Sequence, residues 1–138
     1  MIAYLDTSIV LRRLFSEPNG LKESPKIRKA YASRLLVVEL GRVLDRMRLA
    51  GKVTDADIAD LREGADHAVA SIALLELSAG ILRVASGSLP TALGTLDAIH
   101  LATALQVREE TDRELIFATH DVQLAIAARA SGFRVIGV

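Results

Sequence analysis

Twice in this chain a run of four apolar residues stops and gives way, within a few positions, to an acidic side chain and a helical pattern. Ile2-Ala3-Tyr4-Leu5 ends at Asp6, and Leu115-Ile116-Phe117-Ala118 is followed by Thr119, His120 and Asp121. A strand that is apolar at every position has no face to give to water. It belongs inside a sheet covered on both sides, and helices must supply the covers.

The rest of the chain supplies such helices. A helical pattern runs from Thr7 to about Phe15 and is stopped by Pro18-Asn19-Gly20. Residues 21–29 are polar and basic, broken by Pro25, and read as a short helix or loop; Ala30 to Ser33 fits a short second strand. From Arg34 to Ala50 the residues Leu36, Leu40, Val43, Leu44 and Met47 share one helical face, with Gly51 as the residue that closes the helix. Thr54 caps a further helix expected to reach Glu63. Val69 to Leu75 fits a strand and a helix about equally, and Ser78 to Ser86 reads as helical up to Gly87-Ser88-Leu89-Pro90. A helix from Thr95 to about Arg108, the strand Leu115–Ala118, a helix from Asp121 to Ser131 stopped by Gly132, and a last strand Phe133–Ile136 complete the pattern. Strands alternating with helices predict an α/β fold with a mostly parallel sheet. With 138 residues, a single domain spanning 1–138 is expected.

Composition narrows the function classes. Hydrophobic residues make up 51% of the chain but aromatic ones only 4%, with no Trp, so the core is aliphatic, and the composition argues against stacked aromatic platforms for single-stranded nucleic acid. The 17 basic residues equal the 17 acidic ones. Any nucleic-acid contact must therefore come from a local basic patch rather than a global field. The absence of Cys removes disulfides, thiolate metal sites and Cys nucleophiles. Met1 leads straight into the first strand with no signal-peptide pattern, and no apolar stretch is long enough for a membrane span. A soluble, cytoplasmic protein is expected.

Four carboxylates stand where such a fold would bring them to one rim. Asp6 ends the first strand, Glu39 is one turn into its helix, Asp97 is in a first helical turn, and Asp121 follows the Leu115–Ala118 strand. In an open parallel sheet the strand C-terminal ends and adjoining helix starts face one edge, where ligands bind. Each residue also has a plain structural role. Asp6 and Asp121 suit helix N-caps, Asp97 suits the helix dipole, and Glu39 can pair with Arg42 at i+3. Together, however, they would repel one another, and a divalent cation such as Mg²⁺ or Mn²⁺ relieves that repulsion. The chemistry such a site favours is phosphodiester hydrolysis. No HExxH pair, P-loop or GxSxG segment competes with it.

The local sequences around these residues carry a resemblance. Tyr4-Leu5-Asp6-Thr7-Ser8, Ser33-Arg34-Leu35-Leu36-Val37-Val38-Glu39-Leu40, Leu96-Asp97-Ala98-Ile99-His100-Leu101-Ala102-Thr103-Ala104 and Thr119-His120-Asp121 resemble, in order, the four motifs of PIN domains. The resemblance implies a single α/β/α sandwich that cleaves RNA with Mg²⁺ or Mn²⁺. Chains of this length are similar to VapC-type toxins, which implies a small antitoxin partner and a homodimer. By position, Asp6, Glu39, Asp97 and Asp121 would form the catalytic, metal-binding set, with Ser8 and Thr119 as supporting hydroxyls. The short, Pro-interrupted stretch from Asn19 to Ala32 departs from the fuller helix that the family often has there.

Lesser features each have two readings. Arg42 and Arg46 follow Glu39 at i+3 and i+7 and suit either RNA phosphates or ion pairs with Glu39 and Asp45. Arg12 and Arg13 are placed to extend a basic rim, and Lys22, Lys26, Arg28 and Lys29 form a basic run that suits a solvated loop or the local patch a neutral chain needs. His100 lies at i+3 from Asp97, within reach of it, and reads mainly as a structural helix residue; His120 reads as an exposed loop residue. The stripe from Ile72 to Leu82 reads as core before it reads as a dimer face. Two alternatives to a nuclease stand: a receiver-like Mg²⁺-binding regulatory module, disfavoured because no Lys follows Leu115, and a PIN-like binding module without turnover.

Overall fold

A computed structural model of the chain describes residues 1–111 and 114–138. Its centre is a five-stranded sheet, parallel throughout, formed by β1 (Ile2–Leu5), β2 (Lys29–Ser33), β3 (Ala73–Leu75), β4 (Leu115–Ala118) and β5 (Arg134–Ile136) in the order β3-β2-β1-β4-β5. The helices are α1 (Thr7–Leu14), α2 (Leu35–Leu49), α3 (Asp55–Ala70), α4 (Ala79–Ala85), α5 (Thr95–Thr111) and α6 (Val122–Ala130). The expected α/β sandwich is the observed architecture.

The two apolar runs are the paired centre of the sheet. β1 lies between β2 and β4, with Leu5 level with Ala118. Their side chains alternate between two cores. Ala3, Leu5, Ile116 and Ala118 pack with Ile9 and Val10 of α1, Leu36, Leu40 and Leu44 of α2, and Ile58 and Ala65 of α3. Tyr4, Leu115 and Phe117 pack on the other face with Leu101, Ala104 and Val107 of α5 and Leu124, Ala127 and Ala128 of α6. Burial on both faces is why these strands show no polar alternation. From β1 the chain moves outward through β2 to β3, then returns to the other side of β1 with β4 and β5. The strand order therefore reverses between β1 and β4, the point at which open α/β sheets form a crevice beyond the strands' C-terminal ends.

Several boundaries differ from the sequence reading. α3 starts at the expected cap, where Thr54 and Asp57 form a reciprocal capping box, but it runs past Glu63 to Ala70. It continues through Gly64, where the missing side chain lets Leu14 of α1 approach; a Cβ there would lie 2.9 Å from Leu14 Cδ1. The ambiguous stretch from Val69 divides into the end of α3 and the edge strand β3. α5 continues three residues beyond Arg108, to Thr111. Residues 24–26 form one 3₁₀ turn. Among the described residues no helix is long and apolar enough to cross a membrane.

Candidate active site

The adjacent strands β1 and β4 deliver Asp6 and Thr119 side by side. The Asp6 amide still donates to Ala118 O at 3.0 Å, and that of Thr119 to Ile136 O at 3.1 Å. Asp6 then caps α1. Its Oδ1 accepts the Thr7 amide at 2.7 Å, while its Oδ2 accepts the Ser8 hydroxyl at 2.5 Å, the Ser8 amide at 3.3 Å and the Thr119 hydroxyl at 2.9 Å. Both hydroxyls also accept. Ser8 Oγ takes the His120 amide and Thr119 Oγ1 takes the Asp121 amide, each at 2.9 Å. Ser8 and Thr119 thus stitch the β1–α1 turn to the β4–α6 turn through one buried carboxylate. Asp121 caps α6, its Oδ1 accepting the Leu124 amide at 2.8 Å, and is exposed.

The last strand buttresses this turn. His120 Nδ1 donates to Gly137 O at 2.6 Å. Gly137 has φ +103°, and a Cβ on it would lie 2.5 Å from the Thr119 carbonyl oxygen. A side chain there strains the backbone and pushes on Thr119. Gly137→Ala is expected to destabilise the protein by about 1–3 kcal/mol, read as a fall in denaturant midpoint; an unchanged midpoint would show that the turn gives way freely.

Glu39 comes from α2, on the far side of the crevice, and is bound by residues that the sequence reading did not place in the site. The Thr7 hydroxyl donates to Glu39 Oε2, and His100 Nε2 lies 2.7 Å from the same oxygen. The i+3 spacing suggests Asp97 as the partner of His100, but the imidazole turns across the sheet edge to Glu39 instead, with Asp6 Oδ1 at 3.7 Å. Tyr4 Oη lies 2.8 Å from His100 Nδ1 and accepts the Ser33 amide at 3.2 Å. Burial raises the Glu39 pKa, but the hydrogen bonds from His100 and Thr7 outweigh it and leave the carboxyl below its ordinary value. For His100, burial opposes the charged form, while Glu39, Asp6 and Asp97 favour it and the pKa is raised. Burial lifts the Tyr4 hydroxyl well above its usual range.

Asp97, in the first turn of α5, behaves differently. Its pKa is raised, first by burial and then by the charges of Asp121 and Asp6, with Glu39 adding a smaller push. No hydrogen bond is among the causes acting on it. Asp97 therefore feels the other three carboxylates, and the charge of His100 offsets only part of their push. The all-oxygen donor set of the four suits a hard divalent cation. Among the described residues no three His, Asp or Glu side chains are gathered tightly enough to enclose a metal ion. Mg²⁺ does not require that, since it commonly takes one or two carboxylates and keeps water in its other positions.

The basic residues divide. Arg42 is exposed and lies 3.1 Å from Asp45, which Arg48 also holds; Arg46 is exposed. Arg12 pairs with Glu17. With Arg13, Arg28 and Lys29 it lines a cavity of about 700 Å³ between α1, the 16–28 stretch and the end of α3, and none of the four carboxylates lines it. Arg12 and Arg13 sit low on α1 because each residue advances the helix about 1.5 Å away from Asp6.

Comparison with known proteins agrees with this arrangement. The model of the PIN domain family matches residues 3–130. Ribonuclease VapC47 of Mycobacterium tuberculosis (strain CDC 1551 / Oshkosh) is 31% identical over 137 residues, covering 94% of this chain and 92% of that protein. Ribonuclease VapC46 of Mycobacterium tuberculosis (strain ATCC 25618 / H37Rv) is 32% identical over 133 residues, covering 96% and 95%. The crystal structure of PAE2754 from Pyrobaculum aerophilum shares the fold, with a TM-score of 0.66 at 20% identity over 98% of this chain and 83% of that one. With motifs, topology and near full-length relatives in agreement, the chain belongs to the PIN domain family.

Proposed function

We propose that this chain is a single-domain, Mg²⁺- or Mn²⁺-dependent endoribonuclease of the VapC type, with Asp6, Glu39, Asp97 and Asp121 as its catalytic, metal-binding set. The observation that carries the reading is that Thr119 ties Asp6 to the Asp121 turn where the strand order reverses, with Asp97 in the field of both carboxylates. Its ribonuclease-named relatives match nearly the whole chain. When bound, the metal would polarise a phosphoryl oxygen and acidify a water molecule.

The chain's own groups divide the remaining work. Ser8 and Thr119 hold Asp6 rigid. Asp97, with its raised pKa, has the most to gain from a cation. A carboxylate at the rim orients or deprotonates the attacking water. Arg42 and Arg46, exposed on the helix that carries Glu39, supply positive charge for RNA phosphates, which a chain of zero net charge must gather locally. A cytoplasmic location, a small antitoxin partner and a homodimer belong to the same reading.

Purified protein incubated with RNA is expected to cleave it in Mg²⁺ or Mn²⁺, to stop in excess chelator, and to recover when metal is restored. Cleavage undiminished by chelator would overturn the metal mechanism. No cleavage with either metal would leave a PIN-like binding module in its place.

A further inference from the structure

His100 is a buried imidazole that the nuclease reading leaves without a task. It is 1% exposed, in the second turn of α5, between the aliphatic residues Ile99 and Leu101. An imidazole in such a place is costly unless its nitrogens are bonded. Both are: Nδ1 meets Tyr4 Oη at 2.8 Å and Nε2 meets Glu39 Oε2 at 2.7 Å. The Tyr4 oxygen in turn takes the amide proton of Ser33, the last residue of β2. A closed path results, from the β2–α2 turn through Tyr4 and His100 to the α2 carboxylate.

The proton on Nε2 does not depend on the charge of the ring. The Glu39 carboxylate can only accept, so the Nε2 that faces it carries a hydrogen; in the neutral ring Nδ1 then accepts from the Tyr4 hydroxyl, and in the charged ring both nitrogens carry one. Either way Nε2 donates to Glu39. The Thr7 hydroxyl donates to that same Oε2, and among the described residues Oε1 accepts no hydrogen bond. A glutamate side chain otherwise samples several rotamers. Two donors on one oxygen fix the carboxylate plane and leave the other oxygen for a ligand.

We propose that His100, anchored by Tyr4, is a positioning residue that holds Glu39 by Oε2 and presents its Oε1 to the metal or to a metal-bound water. The role rests on the metal-dependent nuclease reading. The partners that orient ligating carboxylates are worth about 10- to 100-fold in affinity or activity.

The test compares wild type, His100→Leu, His100→Gln, Glu39→Gln and the double variant Glu39→Gln/His100→Leu, with folding checked by circular dichroism. For each, kcat and KM on RNA and the Mn²⁺ affinity by calorimetry are measured. His100→Leu is expected to lower kcat about 10- to 100-fold, to leave the KM for RNA nearly unchanged and to weaken Mn²⁺ binding. His100→Gln, whose amide can still donate, recovers part of both losses. On the Glu39→Gln background, His100→Leu adds little, because the group it acts through has gone. A folded His100→Leu with wild-type kcat and Mn²⁺ affinity overturns the proposal, as does a penalty that adds in full to that of Glu39→Gln. If His100→Leu does not fold, Tyr4→Phe, which removes the anchor of the ring together with the acceptor of the Ser33 amide, replaces it with the same expected direction and the same overturning result. A wild type that binds Mn²⁺ but cleaves nothing overturns the nuclease reading alone, and the proposal then stands or falls on Mn²⁺ affinity. A wild type that binds no Mn²⁺ overturns both.

Discussion

Asp97→Asn is expected to lower RNA cleavage roughly 10²- to 10³-fold while leaving the metal-free protein no less stable than wild type. Loss of a charged ligand removes several kcal/mol of stabilisation from the metal-assisted step, and each 1.36 kcal/mol is about tenfold in rate. Stability responds differently because among the described residues no hydrogen bond acts on the Asp97 carboxyl, which sits in the field of Asp121 and Asp6. Asn forfeits roughly 0.3–1 kcal/mol of helix-dipole attraction but ends that repulsion. The sign with pH follows from the raised pKa. A carboxyl that binds its proton more tightly in the folded state lowers stability as pH rises through its unfolded value to its folded one, and the deficit persists above. In chelator, any gain in melting temperature from Asp97→Asn is therefore present at neutral pH and absent in acid. In Mn²⁺ the order reverses, with wild type gaining more from the metal. A variant that keeps both full metal-induced stabilisation and full cleavage removes Asp97 from the site.

The sequence made the centre of this fold legible because β1 and β4 are buried on both faces and so carry an unbroken apolar run. β3 lacks that mark. It is a three-residue edge strand, exposed at Ala73 and only half-buried at Leu74 and Leu75, so its pattern does not separate a strand from the end of a helix. The length of α3 was hidden for a related reason. The helical pattern weakens at Gly64, whose packing against Leu14, fifty residues earlier in the chain, leaves no local mark. Asp6, Asp97 and Asp121 each have a local marker in the sequence, a strand end, a first helical turn or a helix cap, whereas Glu39, one turn into α2, stands out only through the motif around it. The support around Glu39 was not legible. His100 and Glu39 are 61 residues apart, and His100 and Tyr4 are 96 apart. Helical spacing names the neighbours of His100 on its own helix, hence Asp97, and says nothing of what faces it across the sheet edge. Tyr4 within an apolar run reads as core, which its ring is; the hydroxyl that anchors His100 has no separate signature.

Asp6→Asn is the same chemical change at the neighbouring carboxylate, and it is expected to act oppositely on the fold. Cleavage falls by a comparable 10²- to 10³-fold, since a charged member of the site is again lost. The metal-free protein, however, loses roughly 2–4 kcal/mol. Asp6 is 5% exposed and accepts four hydrogen bonds, from the Thr7 and Ser8 amides and the Ser8 and Thr119 hydroxyls. The amide oxygen of Asn can keep the Thr7 amide, but its NH₂ then faces the two hydroxyls that now donate to Oδ2. Each hydroxyl already accepts an amide, from His120 or Asp121; with both turned to accept from Asn, at most one can donate to the other across 3.4 Å, and the second proton is left without a partner in a buried turn. Relief of repulsion with Asp97 offsets only part of this, because hydrogen bonds to a charged acceptor are worth about 1.5–3 kcal/mol each. In a domain of this size the melting temperature falls by about 10 °C. Measured in chelator beside Asp97→Asn, the two variants separate a carboxylate that the fold has tied down from one that it has left strained. A metal-free Asp6→Asn protein that melts with wild type would show that the hydroxyls reorient at no cost, and that Ser8 and Thr119 do not hold Asp6 in place.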